Sequence, residues 1–381
     1  METAELLEII DRDEDSSHQF KANVTNETSL AQEIIAFSNS GGGSIFIGVS
    51  NDGTFSGLGR EDMGRLNQLV SNAASQQVRP PVNPQTENIS TDDGLVMHIV
   101  VPDGISKPYM DKNGVIWIKS GADKRKATSR EEVQRLYQSA GLIHGDEIPV
   151  SGMTISDLDL DYFKEFFERN FGESLEKQDV ALKDILHNMN LMKDNFLNIS
   201  GTLLFAKNPI FKLPVFIVKA ISFPGTEIHE TEYLDSRDIS GKMADVYHQS
   251  KSFVLGNIHH VQADRDVNAP GKPEIPHIVL EELIVNALIH RDYFVSASIR
   301  IFVFSDRVEI ISPGHLPNNL TVENIKRGNS NIRNPILTSF ATKILPYRGL
   351  GSGITRALKA YSNIQFENDR DGNLFRVIIG R

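Results

Sequence analysis

Residues 282–290 read Glu282-Leu-Ile-Val-Asn286-Ala-Leu-Ile-His290, with a polar side chain at every fourth position and apolar side chains between them. This spacing places Glu282, Asn286 and His290 on one face of a helix, which we predict over residues 275–290. An amide oxygen can hold a hard cation, and a neighbouring carboxylate can orient a water molecule. The pattern indicates a magnesium-phosphate site, and spacing alone leaves open a polar face that simply contacts solvent.

Two further elements follow the predicted helix. Residues 348–354 read Arg348-Gly-Leu-Gly-Ser-Gly-Ile354 and lead into a predicted helix that ends near Ala360. Glycines at a helix N-terminus let backbone amides approach a phosphate group closely. Strands are predicted over 299–304 and 308–311, and the second runs into the turn Ser312-Pro-Gly314. In this order, the elements predict a nucleotide-binding site.

The combination closely resembles the C-terminal ATPase-like domain found behind Schlafen/AlbA-like domains, a divergent branch of the GHKL (gyrase, histidine-kinase) superfamily. The motifs that carry the resemblance are 282–293, 306–317, Arg333-Asn334-Pro335 and the glycines of 349–353. It covers about Pro270 to Arg381 and implies ATP and Mg²⁺ as cofactors. It further implies that Asn286 is a magnesium ligand, that Glu282 is the general base, and that the remaining nucleotide-site residues are His290, Ser312, Gly314 and the ATP-lid glycines Gly349, Gly351 and Gly353.

The second motif departs from the superfamily pattern at Ser312, where relatives carry an aspartate that binds the adenine amino group. A serine hydroxyl can hydrogen-bond the base, but it lacks the charge-assisted bond of a carboxylate. His290 also lies one residue past the place where many relatives carry an aspartate. Nucleotide binding is therefore expected, and ATP hydrolysis stays open.

A second informative stretch lies near the N-terminus. Phe20-Lys21 is followed by a predicted helix over 30–38, a turn of three glycines at 41–43 and a predicted strand over 44–49. With the later motifs at 107–109 and 117–121, it resembles the Schlafen/AlbA-2 signature, in which the glycine turn joins a helix to a strand. The resemblance covers about residues 8–141 and implies nucleic-acid binding.

The densest basic run of the chain, residues 119–126, falls inside this region. Basic side chains beside a strand supply phosphate contacts, which position a nucleic acid without reading its sequence. We expect DNA rather than RNA as the partner, and a solvated loop is the alternative. The candidate contact residues are Lys21, Lys107, Tyr109, Lys119, Lys124, Arg125 and Lys126.

Some Schlafen relatives are RNases that use clustered carboxylates and a divalent metal. Their motif has one acid about five residues before a second acid that directly precedes Phe-Lys. Here the first position is Glu14, but the second is Gln19, and Asp52 is a candidate third acid. A neutral amide is a poorer ligand than a carboxylate for a hard cation, so nuclease activity is the weaker alternative.

Composition sets the wider frame. The chain has 381 residues, a formal net charge of −11 and no cysteine, which excludes disulfides and thiolate chemistry. The sequence has no long uncharged apolar run, so we expect no membrane span. The acidic first twenty residues lack the pattern of a signal peptide. We expect a cytoplasmic homo-oligomer, at least a dimer.

The predicted fold class is α+β in three parts. These parts are a Schlafen/AlbA-like domain (1–141), a small connecting domain of helices and strands (154–268), and a divergent GHKL sandwich (269–381). In the connecting part, strands are predicted over 201–205 and 215–223.

Three functional hypotheses follow. The first is a regulatory protein, of the kind often labelled a transcriptional regulator, in which ATP modulates DNA binding. The second is an ATP-controlled, metal-dependent nuclease, with a role in phage defence for some related architectures. The third is an interaction protein with a vestigial ATP site. The chain carries no P-loop of the form GxxxxGK[ST], so a helicase motor is not supported.

Overall fold

The structure is a computed structural model, and it describes residues 1–50, 52–228, 232–262, 271–317 and 320–381. The chain divides into two compact units, Met1–Ile143 and His144–Arg381. Both mix helices with largely antiparallel sheets, which confirms the predicted α+β class. Within the described residues, no helix is both long enough and apolar enough to cross a membrane.

The first unit is built on a four-stranded sheet with the order β1-β2-β5-β4. Strands β1 and β2 are parallel, with Gln19 opposite Ile45, and the other two pairs are antiparallel. Its helices are α1 (Thr3–Ile10), α2 (Glu27–Asn39), α3 (Arg60–Asn72) and α4 (Arg130–Ser139). Its strands are β1 (His18–Lys21), β2 (Gly43–Ile47), β3 (Val78–Arg79), β4 (Gln85–Thr91), β5 (Gly94–Val101), β6 (Met110–Asp111), β7 (Trp117–Ser120) and β8 (Asp123–Lys126).

The sheet of the first unit is covered on both faces, as the alternation along β2 requires. Ile45 and Ile47 pack in the cluster that includes residues of α2 and α3, and Phe46 between them packs in a separate cluster with Leu6 of α1. Successive strand residues point to opposite faces, so a strand that is apolar at each of these positions must be buried on both sides. The predicted strand at 44–49 and the predicted helix at 30–38 are therefore confirmed.

The second unit contains a six-stranded sheet with the order β12-β11-β15-β16-β18-β17. Its helices are α5 (Leu160–Phe171), α6 (Leu182–Asn188), α7 (Ile199–Phe205), α8 (Met243–Asn257), α9 (His277–His290), α10 (Val322–Lys326), α11 (Pro335–Ile344) and α12 (Gly353–Ala360). Its strands are β9 (Met192–Lys193), β10 (Phe196–Leu197), β11 (Val218–Ser222), β12 (Asp235–Ile239), β13 (His260–Val261), β14 (Lys272–Pro273), β15 (Ile299–Val303), β16 (Arg307–Pro313), β17 (Ile364–Asp369) and β18 (Leu374–Gly380).

The connecting region is not a separate compact body in this structure. Strand β11 pairs in parallel with β15, so residues on both sides of the predicted division share one sheet. One hydrophobic core runs from Val150 to Ile379 and contains side chains from both parts. The predicted boundary between residues 268 and 269 itself lies outside the described residues.

The strand predicted over 201–205 is wrong, because these residues belong to helix α7. The side chain of Asn198 caps this helix by accepting a hydrogen bond from the backbone N–H of Gly201 (2.8 Å). Every residue of the helix is buried, so its short apolar run shows no helical periodicity. A short apolar run fits a buried strand and a buried helix equally well, and here the N-cap decides between them.

Candidate functional site

A pocket in the second unit brings together all eight residues that the sequence assigned to the nucleotide site. Its empty volume is about 1010 Å³, including open solvent, and it lies among α9, the end of β16 and the loop before α12. The predicted residues that line it are Glu282, Asn286, His290, Ser312, Gly314, Gly349, Gly351 and Gly353. Three segments that are far apart in sequence therefore converge at one place.

On the polar face of α9, Glu282 is buried, whereas Asn286 and His290 are partly exposed where they line the pocket. Glu282 is only 2% exposed, and its Oε1 lies 2.6 Å from Nη2 of Arg356 on α12. Burial raises the pKa of the Glu282 carboxyl, and the guanidinium of Arg356 opposes that rise. The carboxylate is therefore buried beside a helix that follows the glycine-rich loop.

The glycines of this loop are needed for backbone geometry and for close approach. Gly351 has a left-handed φ of +69°, and a Cβ there would lie 2.5 Å from the carbonyl oxygen of Gly328. A Cβ on Gly353 would lie 2.5 Å from Oε2 of Glu282 and 3.3 Å from Nδ2 of Asn286. The start of α12 thus packs directly against the side chains expected to be the general base, Glu282, and the magnesium ligand, Asn286.

His290 forms part of the pocket wall in its neutral form. Burial, with a smaller contribution from Arg333, lowers the pKa of His290 to about 4. Its Nε2 lies 3.3 Å from the hydroxyl oxygen of Tyr347, whose own pKa is raised by burial. The pair offers uncharged hydrogen-bonding groups to a ligand.

Ser312 lies near the end of β16 and Gly314 directly follows that strand, and both line the pocket. The Ser312 hydroxyl donates to the carbonyl oxygen of Ala287 on α9 at 3.4 Å, and the residue is buried. Gly314 has a φ of +96°, and a Cβ there would lie 2.5 Å from Nη1 of Arg333. No other residue type fits at Gly314 without displacing Arg333.

Sequence reasoning missed Arg333, Tyr347 and Arg356 as pocket residues. The guanidinium of Arg333 donates to the carbonyl oxygen of His315 at 2.7 Å, and burial lowers its pKa. The available signal was position: Arg333 begins the motif Arg333-Asn334-Pro335, and Arg356 follows Gly353 by almost one helical turn.

In the first unit, hydrogen bonds from Asn39 connect the separate segments of the N-terminal signature. The side-chain oxygen of Asn39, at the end of α2, accepts a hydrogen bond from the Tyr109 backbone N–H at 2.8 Å. Its amide nitrogen donates to the carbonyl oxygens of Tyr109 (2.8 Å) and Trp117 (2.9 Å). Asn39 therefore holds the segments 107–109 and 117–121 against the helix.

Three of the predicted nucleic-acid contacts are corrected by their burial. Tyr109 is 5% exposed and belongs to the core, so its ring is not available to stack on a base. Lys107 is buried in an ion pair with Asp103 (2.6 Å), and Lys119 is buried with its Nζ 2.8 Å from Oε1 of Gln19. A lysine that binds phosphate must be accessible from solvent, whereas a buried lysine needs a partner within the protein. Lys107 and Lys119 have such partners, so we assign them a structural role.

The remaining basic candidates are more accessible. Lys124 pairs with Glu33 (2.7 Å), Arg125 pairs with Glu132, and Lys21 is partly buried. Lys126 is exposed, with its Nζ 5.6 Å from the centre of the Trp117 ring. Strand β8 therefore presents the predicted basic residues that remain exposed, Arg125 and Lys126.

The two candidate nuclease acids each bind their own neighbours. Oε1 of Glu14 accepts hydrogen bonds from the Gln19 side chain (2.6 Å) and from the Phe20 backbone (2.7 Å). Oδ1 of Asp52 accepts from the hydroxyl and backbone N–H of Thr54, and these bonds lower its pKa. Among the described residues, no group of three or more histidine, aspartate or glutamate side chains is placed to hold a metal ion.

Comparison with protein-family models gives two matches. Residues 14–128 match the model "Schlafen, AlbA_2", and residues 296–379 match the model "Putative ATP-dependent DNA helicase recG C-terminal". Both expected resemblances are therefore confirmed at the level of the two domains, and the assignment to the GHKL superfamily stays a prediction. The second match begins after α9, so it includes Ser312, Gly314 and the lid glycines but neither Glu282 nor Asn286.

Two solved structures are similar to this chain, one over most of its length and one over about a third of it. The DIP2311 protein from Corynebacterium diphtheriae is 20% identical, with a TM-score of 0.47 over 96% of this chain and 75% of that one. The N-terminal domain of a RecG-related protein from Nitrosomonas europaea is 17% identical, with a TM-score of 0.24 over 34% of this chain and 96% of that one. A comparison with curated proteins gives no match.

Proposed function

We propose that the second unit binds ATP with Mg²⁺ in the pocket between α9 and α12, and that the first unit binds nucleic acid, most readily DNA. The observation that carries the proposal is the convergence of Glu282, Asn286 and the glycine-rich loop on one pocket. The two family matches support the coarser statement of a nucleic-acid-related protein with an ATPase-like domain. In the full proposal, nucleotide state regulates DNA binding, as in a transcriptional regulator, and the protein is a homo-oligomer, at least a dimer.

The pocket suits a magnesium ion that arrives with its nucleotide. Mg²⁺ in such sites keeps several waters and is held by one or two protein oxygens together with the substrate phosphates. Asn286 would provide the protein oxygen, and the ion would neutralise phosphate charge. Glu282 is near enough to Asn286 to orient a water molecule in the same place, since both lie beside Gly353.

Ser312 favours adenine over guanine at the base end of the pocket. The Ser312 hydroxyl donates to the carbonyl oxygen of Ala287, so its oxygen would meet a ligand as an acceptor. The exocyclic amino group of adenine is a donor and matches such an acceptor, while the carbonyl of guanine does not. A neutral acceptor gives a weaker bond than the carboxylate of relatives, so modest affinity is expected.

Replacing the proposed magnesium ligand tests the site directly. We expect the wild type to bind ATP with Mg²⁺ in a calorimetric titration and Asn286→Ala to lose at least about tenfold in affinity, because a lost contact of 1.4 kcal/mol has that effect. Asn195→Ala, at an exposed position of the same unit, is the matched control. Equal binding by the wild type and Asn286→Ala would remove Asn286 from the site.

The exposed end of β8 is the proposed nucleic-acid contact. We expect Lys126→Ala to weaken binding to duplex DNA regardless of sequence, and to lower the slope of log affinity against log salt by about one unit. Fluorescence anisotropy over a salt series, with and without ATP and Mg²⁺, measures both this slope and the proposed regulation. Arg60→Ala removes an exposed charge elsewhere on the first unit and serves as control. DNA affinity that is unchanged by Lys126→Ala, or by ATP, contradicts the corresponding half of the proposal.

A further inference from the structure

The place expected for a phosphate group is filled by the protein's own carboxylate. Oε2 of Glu282 is so close to Gly353 that it would lie 2.5 Å from a Cβ there, and Oε1 lies 2.6 Å from Nη2 of Arg356. The carboxylate therefore sits between the first residue of α12 and the guanidinium that follows within the same turn. Both neighbours are groups that attract anions.

The N-terminus of α12 has unused capacity to bind an anion. Ser352 is the N-cap residue, and its side chain makes no capping hydrogen bond. The first backbone bond of the helix runs from the Arg356 N–H to the carbonyl oxygen of Ser352, which leaves the preceding amides of the first turn outside the helical pattern. A phosphate oxygen is the kind of acceptor that such amides bind.

Arg356 also has unused hydrogen-bonding capacity. Its Nε is buried and has no hydrogen-bond partner, and the close contact with Glu282 leaves Oε1 of that carboxylate without an aligned donor. These absences hold for the part of the chain that the structure describes. The ion pair is thus close but poorly aligned, and an incoming anion with several oxygens would satisfy the guanidinium better than Glu282 does.

We propose that Arg356 recognises the terminal phosphate of a nucleoside triphosphate, and that it leaves Glu282 to do so. Until the triphosphate binds, Glu282 acts as an internal substitute for that phosphate. When the triphosphate binds, Arg356 moves to the phosphate, and the released carboxylate becomes free to orient water. A diphosphate lacks the group next to Glu282 and leaves the ion pair intact, so the pocket distinguishes the two nucleotides.

This inference rests on the proposed ATP site. It predicts opposite changes in ATP affinity when Arg356 and Glu282 are replaced. Arg356→Gln is expected to lower ATP affinity at least about tenfold while changing ADP affinity less than about threefold, because only ATP gains the contact. Glu282→Gln is expected to raise ATP affinity by about threefold to tenfold, because the competitor loses its charge. A residue that only supports the fold would not produce gains in one variant and losses in the other.

The experiment is a calorimetric titration of each full-length variant with ATP and with ADP, in the presence of Mg²⁺. Lys359→Gln, an exposed substitution on the same helix, controls for the loss of a positive charge on α12. The double variant Glu282→Gln with Arg356→Gln keeps the test valid if the single arginine variant is unstable, since it leaves no unpaired buried charge; it is expected to bind ATP no better than ADP.

The outcomes separate this inference from the function on which it rests. Absence of ATP binding by the wild type overturns both. Wild-type binding with an equal loss of ATP and ADP affinity in Arg356→Gln, or with no gain in Glu282→Gln, overturns the role of Arg356 and leaves the ATP site standing.

Discussion

Replacing Gly353 with valine is expected to reduce the affinity for ATP with Mg²⁺ at least about a hundredfold, a loss of about 2.7 kcal/mol. Even a Cβ alone at this position would lie 2.5 Å from Oε2 of Glu282 and 3.3 Å from Nδ2 of Asn286. The branched side chain would push the carboxylate and the amide out of the site and block the approach of a phosphate to the start of α12.

The same substitution should leave the unit folded, which separates it from a core mutation. Gly353 begins α12 and does not have a left-handed φ, so an alanine or a valine there can adopt the helical backbone. Gly353→Ala is expected to give an intermediate loss of affinity, because the Glu282 side chain can shift by a small distance. Calorimetry measures the affinities, and circular dichroism checks the helix content.

Gly256→Ala is the matched control for these lid variants. Gly256 is also a helical glycine of the second unit, but a Cβ there would meet no atom within 4 Å. It should bind ATP as the wild type does. Undiminished ATP binding by Gly353→Val would show that the nucleotide does not lie against the start of α12, and it would contradict the proposed site.

The sequence predicted eight of the residues that line this pocket because each motif depends on local spacing. Glu282 and Asn286 lie one helical turn apart, and the glycines precede a helix start, so each motif could be recognised within one element. The pairing of Glu282 with Arg356 could not be recognised in the same way. It joins two helices whose approach depends on how α12 packs against α9, and no pattern in either segment specifies that contact.

For the basic residues of the first unit, local sequence did not predict which side chains are buried. Lys107, Lys119 and Lys126 look alike in sequence, yet the first two are buried with partners and the third is exposed. The partner of Lys107 is four residues away at Asp103, but the partner of Lys119 is Gln19, a hundred residues earlier. Charge alone cannot distinguish a buried lysine from a phosphate contact, because the difference is made by distant residues.

The free energy of unfolding of the second unit is expected to fall by about 2 kcal/mol between pH 4 and pH 7 through Asp146 alone. The Asp146 carboxyl is fully buried, and burial raises its pKa from 3.8 to about 6. Well below pH 3.8 the carboxyl is protonated in both the folded and the unfolded protein. Between pH 4 and pH 6 only the unfolded protein ionises, so unfolding becomes easier, and above pH 6 the loss stays constant.

Asp146→Asn is expected to remove this dependence. In the wild type, Oδ2 of Asp146 accepts a hydrogen bond from the backbone N–H of Leu337, near the start of α11, at 3.0 Å. The asparagine keeps an oxygen that can accept this bond, but its side chain cannot ionise. The variant should match the wild type within about 1 kcal/mol at pH 4 and exceed its stability by about 2 to 3 kcal/mol at pH 7.5. Urea unfolding followed by circular dichroism measures the difference, and the fluorescence of Trp117, the single tryptophan, reports the first unit separately.

Two opposing effects act on the Asp146 carboxylate, and the experiment shows which of them is larger. The N-terminus of α11 favours an ionised carboxylate, by up to about 2 kcal/mol in partly buried geometries. Burial disfavours it by more, since Oδ1 has no hydrogen-bond partner among the described residues and lies out of reach of water. Asp179→Asn, at an exposed aspartate of the same unit, should leave the pH dependence unchanged. If Asp146→Asn instead destabilises the second unit at pH 7.5, the ionised carboxylate serves as a favourable cap for α11, and the attraction of the helix end exceeds the cost of burial.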